Sequence, residues 1–231
     1  MYLDGLNFYA AVRGNPATKW VDFAALATRL VPRLEAVDKV KYFTSQISEK
    51  AAENADSPRR QRVFIRAIRA SGVEVFEGKF KVPDDWRAVS SRGKWEDRLR
   101  PRPPKEMLRD FHEHFAGHQT RPWKAMVELP HEKFTDVAIA SHLLRDFYRG
   151  DCKQAIVVTN DSDLRPAIEL VVGDGHHVGV FSPMKTISRD LERVASWAKS
   201  IRPELVAQCQ MPDEVQEPGS SRIFNRPAAW K

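Results

Sequence analysis

Two aspartates, Asp161 and Asp163, stand in the stretch TNDSDL at residues 159–164, directly after an apolar run. That run, Ala155–Val158, predicts a buried strand, so both carboxylates follow a strand end. Two like charges this close together destabilise each other in their ionised forms. A solvated turn that caps the next helix would tolerate them, and a bound cation would neutralise them. The pair therefore predicts either a helix cap or half of a cation site.

Two further aspartates are expected at the same edge of the molecule. Asp4 ends the first apolar stretch, and Asp136 lies in the first turn of a helix predicted over Phe134–Tyr148. Ligands of an open parallel sheet bind beyond the carboxyl ends of its strands, and a helix running antiparallel to those strands begins near that edge. Each acid also has a structural explanation: Asp136 suits the helix dipole, and Asp163 suits an N-cap. Their joint placement favours one common site.

A cluster of four carboxylates has a definite chemistry. Hard divalent cations such as Mg²⁺ and Mn²⁺ take oxygen ligands and keep several waters, which suits such a cluster. A bound ion lowers the pKa of a ligated water and polarises a phosphoryl oxygen. Asn7 and Asn160 lie beside the acids in the sequence and could add neutral ligands or orient water. These residues predict metal-assisted chemistry on a phosphate.

Short apolar runs alternate with stretches of helical spacing along the chain. This alternation predicts an α/β fold, a three-layer Rossmann-like parallel sheet with helices on both faces. The expected strands are Met1–Leu3, Val37–Thr44, Val73–Phe76, Ala155–Thr159 and His177–Phe181. The expected helices are Val21–Leu34, Pro58–Ala70, Phe134–Tyr148 and Leu164–Val172. The third of these helices is expected to cluster Val137, Ala138, Leu144, Phe147 and Tyr148 on one face.

A basic insert that contains tryptophan interrupts the alternation at residues 79–131. Residues 79–109 alone hold ten Lys or Arg and five Asp or Glu, and the whole chain has a net charge of +6. Cationic side chains release counterions from phosphates, and aromatic rings stack on unpaired bases. A solvated insert without a partner would have the same composition. The residues expected to contact a nucleic-acid substrate are Arg92, Lys94, Arg98, Arg100 and Arg102.

Length and composition limit the class of protein. The chain has 231 residues, 42% of them hydrophobic, which is enough for one domain, expected over residues 1–202 and followed by a polar tail over 203–231. Apolar runs long enough for a transmembrane helix are missing, as is the pattern of a secretion signal. Cys152 and Cys209 stand apart and predict neither a disulfide framework nor a zinc knuckle. A cytoplasmic protein without a membrane partner is expected.

Three stretches together resemble the NYN domain, a branch of the PIN-like nucleases. They are YLDGLNFY at residues 2–9, EKFTDVAIA at 132–140 and IVVTNDSDLRP at 156–166. Their order and spacing fit the family, and the resemblance extends over residues 1–200 outside the insert. It implies a PIN-like fold and a metal-dependent ribonuclease that uses Mg²⁺ or Mn²⁺.

The resemblance also implies roles for individual residues. The catalytic and metal-binding positions of the family fall on four acids: Asp4, Asp136, Asp161 and Asp163. Asn7 takes the place of the amide in the first motif. Asn160 stands where many members have glycine, which could hinder close approach of a phosphate or add a ligand. Paired cysteines that many relatives carry near the insert are missing here, so substrate choice is open.

The activity expected from the resemblance is hydrolysis of RNA phosphodiester bonds by an endoribonuclease. RNA is the expected partner, and a second copy or an antitoxin-like protein are further candidates. A catalytically silent RNA-binding or regulatory module with the same fold is the alternative. RNA or DNA as substrate, and a role as toxin, in phage defence or in RNA processing, stay open.

Other catalytic motifs fail on single positions. A His-Glu-x-x-His zinc helix at His112 would need histidine at position 116, which is Ala116. A phosphatase of the aspartyl-phosphate type would need a second aspartate at position 6, which is Leu6. The chain also lacks a Gly-x-Gly-x-x-Gly fingerprint, a P-loop and a Gly-x-Ser-x-Gly elbow.

Overall fold

The computed structural model describes residues 1–31, 37–47, 54, 56–81, 84–89, 123–128 and 131–231, and within residues 79–133 it describes only the backbone of strands. The chain divides into two compact units. One combines residues 1–81 with residues 132–231, and the other comprises residues 82–131. The five cations expected to contact substrate, at positions 92, 94, 98, 100 and 102, lie outside the described residues.

Seven of the strands in the described residues form one sheet. The strands are β1 (Tyr2–Asp4), β2 (Lys41–Gln46), β3 (Glu74–Lys81), β4 (Asp84–Val89), β5 (Trp123–Glu128), β6 (His131–Lys133), β7 (Gln154–Val158), β8 (His177–Ser182), β9 (Trp197–Ser200), β10 (Glu214–Gln216) and β11 (Ile223–Asn225). The order in the main sheet is β6-β3-β2-β1-β7-β8-β9, and β3 to β9 in that order are parallel. Two antiparallel pairs, β4 with β5 and β10 with β11, lie outside it.

Helices connect the parallel strands. The α-helices of the described residues are α1 (Gly5–Val12), α2 (Phe23–Leu30), α3 (Ser57–Ala70), α4 (Thr135–Tyr148), α5 (Arg165–Gly173), α6 (Arg189–Val194) and α7 (Pro203–Gln208). Short 3₁₀ helices occur at Pro16–Thr18, Ser162–Leu164 and Ala228–Trp230. Within the described ranges, each helix is too short or too polar to cross a lipid bilayer.

The strand order places the switch point of the sheet between β1 and β7. From β1 the chain builds outward through β2 to β3, and from β7 it builds outward in the opposite direction through β8 to β9. Leu3 of β1 lies in register with Val158 of β7. Because the connections after two such strands leave towards opposite faces, a crevice forms at their carboxyl ends. Asp4 and the TNDSDL loop both lie at this crevice.

Apolar side chains cover both faces of the sheet, as a three-layer fold requires. On one face Val158 joins a core that includes residues of α1, α2, α3 and the C-terminal segment. On the other face Val157 joins a core that includes residues of α4 and α5. Neighbouring residues of β7 thus serve opposite cores, which is the two-residue period of a strand buried on both sides. The expected Rossmann-like α/β class is confirmed.

The expected strands and helices occur, but several ends differ from the prediction. β2 begins at Lys41 instead of Val37, and Lys41 is in register with Tyr2, the first residue of β1. α2 ends at Leu30 instead of Leu34, where Val31 adopts an extended backbone. α3 matches its prediction within one residue and carries proline in its first turn.

The inner face of α4 differs from the expected one. Val137 and Tyr148, expected to pack inward, are 67% and 94% exposed. The buried residues are Ile139, Leu143 and Phe147, which follow one another at four-residue spacing. The prediction was wrong for the two exposed residues because apolar positions on both sides of the true stripe were counted as one face.

The C-terminal segment packs on the core of the larger unit. Phe224 and Trp230 are each 7% exposed, whereas Ile223 is 48% exposed. The indole of Trp20 donates a hydrogen bond to the carbonyl oxygen of Pro212 over 2.8 Å. Residues 203–231 therefore cover the face of the sheet that α1, α2 and α3 also cover.

Candidate active site

Asp4 is the most deeply buried of the four acids, with 3% of its surface exposed. It ends β1 and caps α1, because its Oδ1 accepts a hydrogen bond of 3.0 Å from the backbone N–H of Asn7. A Cβ at Gly5 would lie 2.6 Å from the carbonyl oxygen of Phe43 and from the ring of Tyr42. Glycine at this position therefore lets α1 start against β2 and keeps Asp4 at the strand end.

Thr159 connects Asp4 to the TNDSDL loop. Its hydroxyl donates a 2.9 Å hydrogen bond to Asp4 Oδ2 and accepts a 3.1 Å bond from the backbone N–H of Asp161. Thr159 is fully buried, so both bonds are shielded from water. The sequence prediction missed this residue. The sequence feature that could have indicated Thr159 is a hydroxyl side chain at the end of a buried strand, next to two charged residues.

Asp161 caps the 3₁₀ turn that follows β7. Its Oδ1 accepts a 3.0 Å hydrogen bond from the backbone N–H of Asp163, and the side chain of Asp161 is half-buried. The alternative reading of Asp163 as an N-cap is wrong, because α5 begins after Leu164 without a side-chain cap. Asp163 is exposed, so its carboxylate is free to face a ligand.

Asp136 comes to the site from a third segment of the chain. It lies in the first turn of α4 and is half-buried. Phe134 before it adopts a left-handed backbone with φ of 86°, which turns the chain sharply into the helix. The buried hydroxyls of Thr135 and Ser45 lie 3.3 Å apart and hold the start of α4 beside the end of β2. These contacts place Asp136 at the carboxyl edge of the sheet.

The electrostatics of Asp4 show that the acids act on one another. Burial raises the pKa of Asp4 to about 6, against the hydrogen bonds from Asn7 and Thr159, which lower it. The charges of Asp136 and Asp161 add to the rise. Carboxylates from three separate segments of the chain therefore share one environment.

Asp136 is affected in the same way. Burial raises its pKa, and so do the charges of Asp161 and Asp163. Among the described residues, none of the four acids forms an ion pair with a lysine or an arginine. The cluster is thus an uncompensated negative site, and a divalent cation would relieve its repulsion.

The two asparagines fix the loop that carries Asp161. The Oδ1 of Asn7 accepts a 3.0 Å hydrogen bond from the backbone N–H of Asn160. The Oδ1 of Asn160 in turn accepts a 2.7 Å bond from the backbone N–H of Ser188, just before α6. Asn160 thus uses its carbonyl oxygen to tie two loops together. In this arrangement both amides position the acids, and their oxygens already have partners.

The donor set fits Mg²⁺ or Mn²⁺ by its chemistry. All four side chains offer hard carboxylate oxygens, which these ions prefer. Within the described ranges, His, Cys, Asp and Glu side chains do not form a group of three close enough to enclose an ion. Mg²⁺ is commonly held by one or two carboxylates together with waters, so a closed protein cage is not required. The acids fit an open, hydrated ion.

Replacing Asp4 by Asn is expected to change how stability depends on pH. The native pKa of Asp4, about 6, lies above its ordinary value of 3.8, so the native state binds more protons and loses stability as pH rises through this window. The Asp4→Asn variant lacks that loss. Its free energy of unfolding relative to wild type should therefore rise by about 2 kcal/mol between pH 4 and pH 7. Urea unfolding at each pH measures it.

A matched control is Asp22→Asn. Asp22 caps α2 through a 2.9 Å bond from the backbone N–H of Ala25, outside the acid cluster. Its difference from wild type gives the effect of the same substitution at a helix cap, and the rise for Asp4→Asn should exceed it. A constant difference for Asp4→Asn would show that Asp4 is not held in the environment described.

Comparison with known proteins gives two matches. No protein-family model matches the chain. The 6-hydroxy-3-succinoylpyridine 3-monooxygenase HspA of Pseudomonas putida (strain DSM 28022 / S16) is 27% identical over 253 residues, covering all of this chain and 74% of the relative. A crystal structure of a protein of unknown function, VPA0982 from Vibrio parahaemolyticus RIMD 2210633, has 17% identity and a TM-score of 0.48, covering 88% of this chain and 92% of that one. The chain is similar to both.

Proposed function

We propose that the protein is a metal-dependent endoribonuclease of the NYN type, which hydrolyses RNA phosphodiester bonds. The observation that supports it is the convergence of Asp4, Asp136 and Asp161 at the switch point of the sheet, with raised pKa values for the first two. The resemblance of three ordered stretches to that family is consistent with this site.

In this proposal the four acids, Asp4, Asp136, Asp161 and Asp163, would hold Mg²⁺ or Mn²⁺ together with waters. A bound ion would supply an activated water and stabilise negative charge on the phosphate. Thr159 and the two asparagines keep the acids in place, because each already bonds to a neighbouring strand end or loop. The carboxylates thus need little rearrangement before reaction, which favours catalysis.

Asp136 is suited to accept the proton of the attacking water. It lies close enough to Asp161 and Asp163 for their charges to act on it, and it is only partly buried, so water reaches it. The water oxygen forms a bond to phosphorus, and the phosphorus–oxygen bond to the leaving ribose breaks in line. The proton passes to Asp136, and the leaving oxygen takes a proton from solvent. The basic segment at residues 79–109 would bind the RNA backbone.

The proposal is tested by RNA cleavage with the metal added and removed. Purified protein should cut 5′-labelled single-stranded RNA at internal positions with Mn²⁺ or Mg²⁺, and excess EDTA should stop the reaction. Single-stranded DNA of the same sequence, tested in parallel, shows whether cleavage requires ribose instead of deoxyribose. RNA that stays intact but is retained in a filter-binding assay would instead support the catalytically silent RNA-binding module.

Divalent metal is also expected to stabilise the folded protein. A ligand that binds only the native state raises the melting temperature, by about 3 °C for a chain of this length at tenfold excess over the dissociation constant. Differential scanning fluorimetry with Mn²⁺ at pH 8 should show this shift for wild type and little shift for Asp161→Asn. An equal shift in both proteins would mean that the metal binds elsewhere.

A second candidate function comes from the similarity to HspA, which extends over the whole chain. By its name, that protein is a monooxygenase of 6-hydroxy-3-succinoylpyridine. Monooxygenation puts one oxygen atom of O₂ into the substrate and reduces the other to water, so a two-electron donor is needed. Oxygen uptake with NADH and this pyridine, in the absence of RNA cleavage, would favour this candidate.

A further inference from the structure

A cavity of about 1010 Å³ lies at the edge of the sheet opposite the four acids. Its lining includes Lys41, Gln154 and His177, which are the first residues of β2, β7 and β8. The strands are parallel, so their first residues lie at the edge opposite Asp4 and Asp161, separated by roughly 15 Å of strand. From this edge the cavity extends along the strands to Phe181 and Lys199, which are in register with each other, and its described lining contains none of the four acids.

One face of the outer strands forms the floor of this cavity. Ile156, Gly179, Phe181 and Trp197 line it and come from three neighbouring strands. A Cβ at Gly179 would lie 2.0 Å from the indole of Trp197, so the ring lies flat across this glycine. The Trp197 ring meets Phe181 edge-on, with centroids 5.0 Å apart, and Trp197 is still 39% exposed. The floor is therefore aromatic, with Phe181 buried and Trp197 partly open to solvent.

Among the described helices, α2 borders the cavity through Leu30, and Val31 after it is also part of the lining. Within the described residues, the helices that pack on β8 and β9 are α5 and α6. Both belong to the opposite face, where Ile168 and Leu191 are buried. On the cavity's own face, α1 and α3 pack on β2, at the other half of the sheet. The face of β8 and β9 that carries Trp197 therefore borders a cavity of ligand size.

The charges at the rim favour an anion. Lys41 and Asp146 neutralise each other in a buried pair. Lys199 holds its Nζ 5.5 Å from the centroid of the Trp197 ring. Three exposed lysines line the cavity: Lys39, Lys153 and Lys199. Among the described residues, none of the three forms an ion pair with a carboxylate. The remaining exposed charges are three lysines and two aspartates: Lys39, Lys153, Lys199, Asp38 and Asp151.

We propose that this cavity binds a small aromatic carboxylate, with its ring against Trp197 and its carboxylate beside Lys199. An exposed indole offers apolar area and a preferred geometry to a second ring. An unpaired lysine next to that ring offers a charge-assisted hydrogen bond to the carboxylate. The described lining of the cavity contains none of the four acids, so this proposal does not depend on the proposed ribonuclease centre.

Isothermal titration calorimetry on the full chain tests this site, with naphthalene-2-carboxylate and naphthalene-2-carboxamide as probes at pH 8. The two probes share the ring system and differ in charge. The carboxylate is expected to bind about tenfold more tightly than the amide, and Lys199→Glu should weaken the carboxylate by about tenfold or more. Lys199 is exposed, so this variant should fold, and its melting temperature verifies this.

Lys185→Glu is the matched control, since it makes the same charge change at an exposed lysine outside the cavity lining. It should change the affinity less than about twofold. Equal affinity for the acid and the amide, or full affinity in Lys199→Glu, would overturn the proposal. A dimer by light scattering that Lys199→Glu dissociates, without any carboxylate binding, would overturn it in favour of a second copy.

Discussion

Replacing Asp161 by Asn is expected to slow RNA cleavage by about 100-fold or more, because loss of one preorganised charge at a transition state typically has an effect of this size. The fold should survive. Asn keeps the oxygen that accepts the hydrogen bond from the backbone N–H of Asp163, and the backbone N–H of residue 161 still donates to Thr159. Single-turnover cleavage of labelled RNA with Mn²⁺ measures the effect.

Asp174→Asn is the control for this experiment. Asp174 is exposed and follows α5, outside the acid cluster, so the same chemical change should leave the rate within about twofold of wild type. Cleavage at the wild-type rate by Asp161→Asn would remove this residue from the site. Equal loss in both variants would indicate damage to the fold, which the melting temperature would reveal.

Replacing Lys41 by Met is expected to lower the free energy of unfolding by about 3 kcal/mol, because it removes the buried cation of Asp146 and leaves only the half-exposed Arg145, 3.4 Å from the carboxylate. Lys41 and Asp146 form an ion pair in which both side chains are less than a tenth exposed. The hydroxyl of Tyr2 donates a 2.6 Å hydrogen bond to the same carboxylate. Burial raises the pKa of Asp146, but the hydrogen bonds from Lys41 and Tyr2 outweigh it and hold the pKa below its usual value.

Urea unfolding of three variants isolates this pair. In Lys41→Met with Asp146→Asn, the buried charge is gone and Asn still accepts from Tyr2, so the double variant should be more stable than Lys41→Met alone. Lys39→Met, at an exposed lysine two residues away, should change stability by less than about 0.5 kcal/mol. A loss below about 1 kcal/mol in Lys41→Met would show that the pair is not desolvated as described.

The sequence allowed the fold and the acids to be predicted because both leave local patterns. Apolar runs buried on two faces and helices of 3.6-residue period revealed the alternation of a parallel sheet. In such a sheet the carboxyl ends of the strands lie at one edge, so Asp4 and Asp161 were predicted to lie close together. The pKa shifts of Asp4 and Asp136 agree with this placement.

What the sequence did not reveal depends on contacts between distant residues. The link from Thr159 to Asp4 joins positions 155 residues apart, and the bond from Ser188 to Asn160 depends on how two loops meet. The inner face of α4 was misjudged at Val137 and Tyr148, since period alone does not show which of two adjacent stripes meets the sheet.

Asn160 illustrates the difference between pattern and contact. From the sequence, an asparagine in place of glycine could equally have blocked a phosphate or added a metal ligand. In the structure its Oδ1 accepts from Ser188 and its backbone N–H donates to Asn7. This residue therefore positions the loop of Asp161, and its effect on catalysis is expected to act through that loop.

The most direct measurement compares single-turnover RNA cleavage by wild type, Asp4→Asn, Asp161→Asn and the variant that carries both changes. Residues that act as one unit are not additive in their effects. If Asp4 and Asp161, from two distant segments of the chain, form one centre, the double variant should be about as slow as either single variant. Its rate should then be roughly 100-fold below wild type. Independent contributions that multiply to about 10,000-fold, or undiminished cleavage in either single variant, would contradict a shared catalytic site.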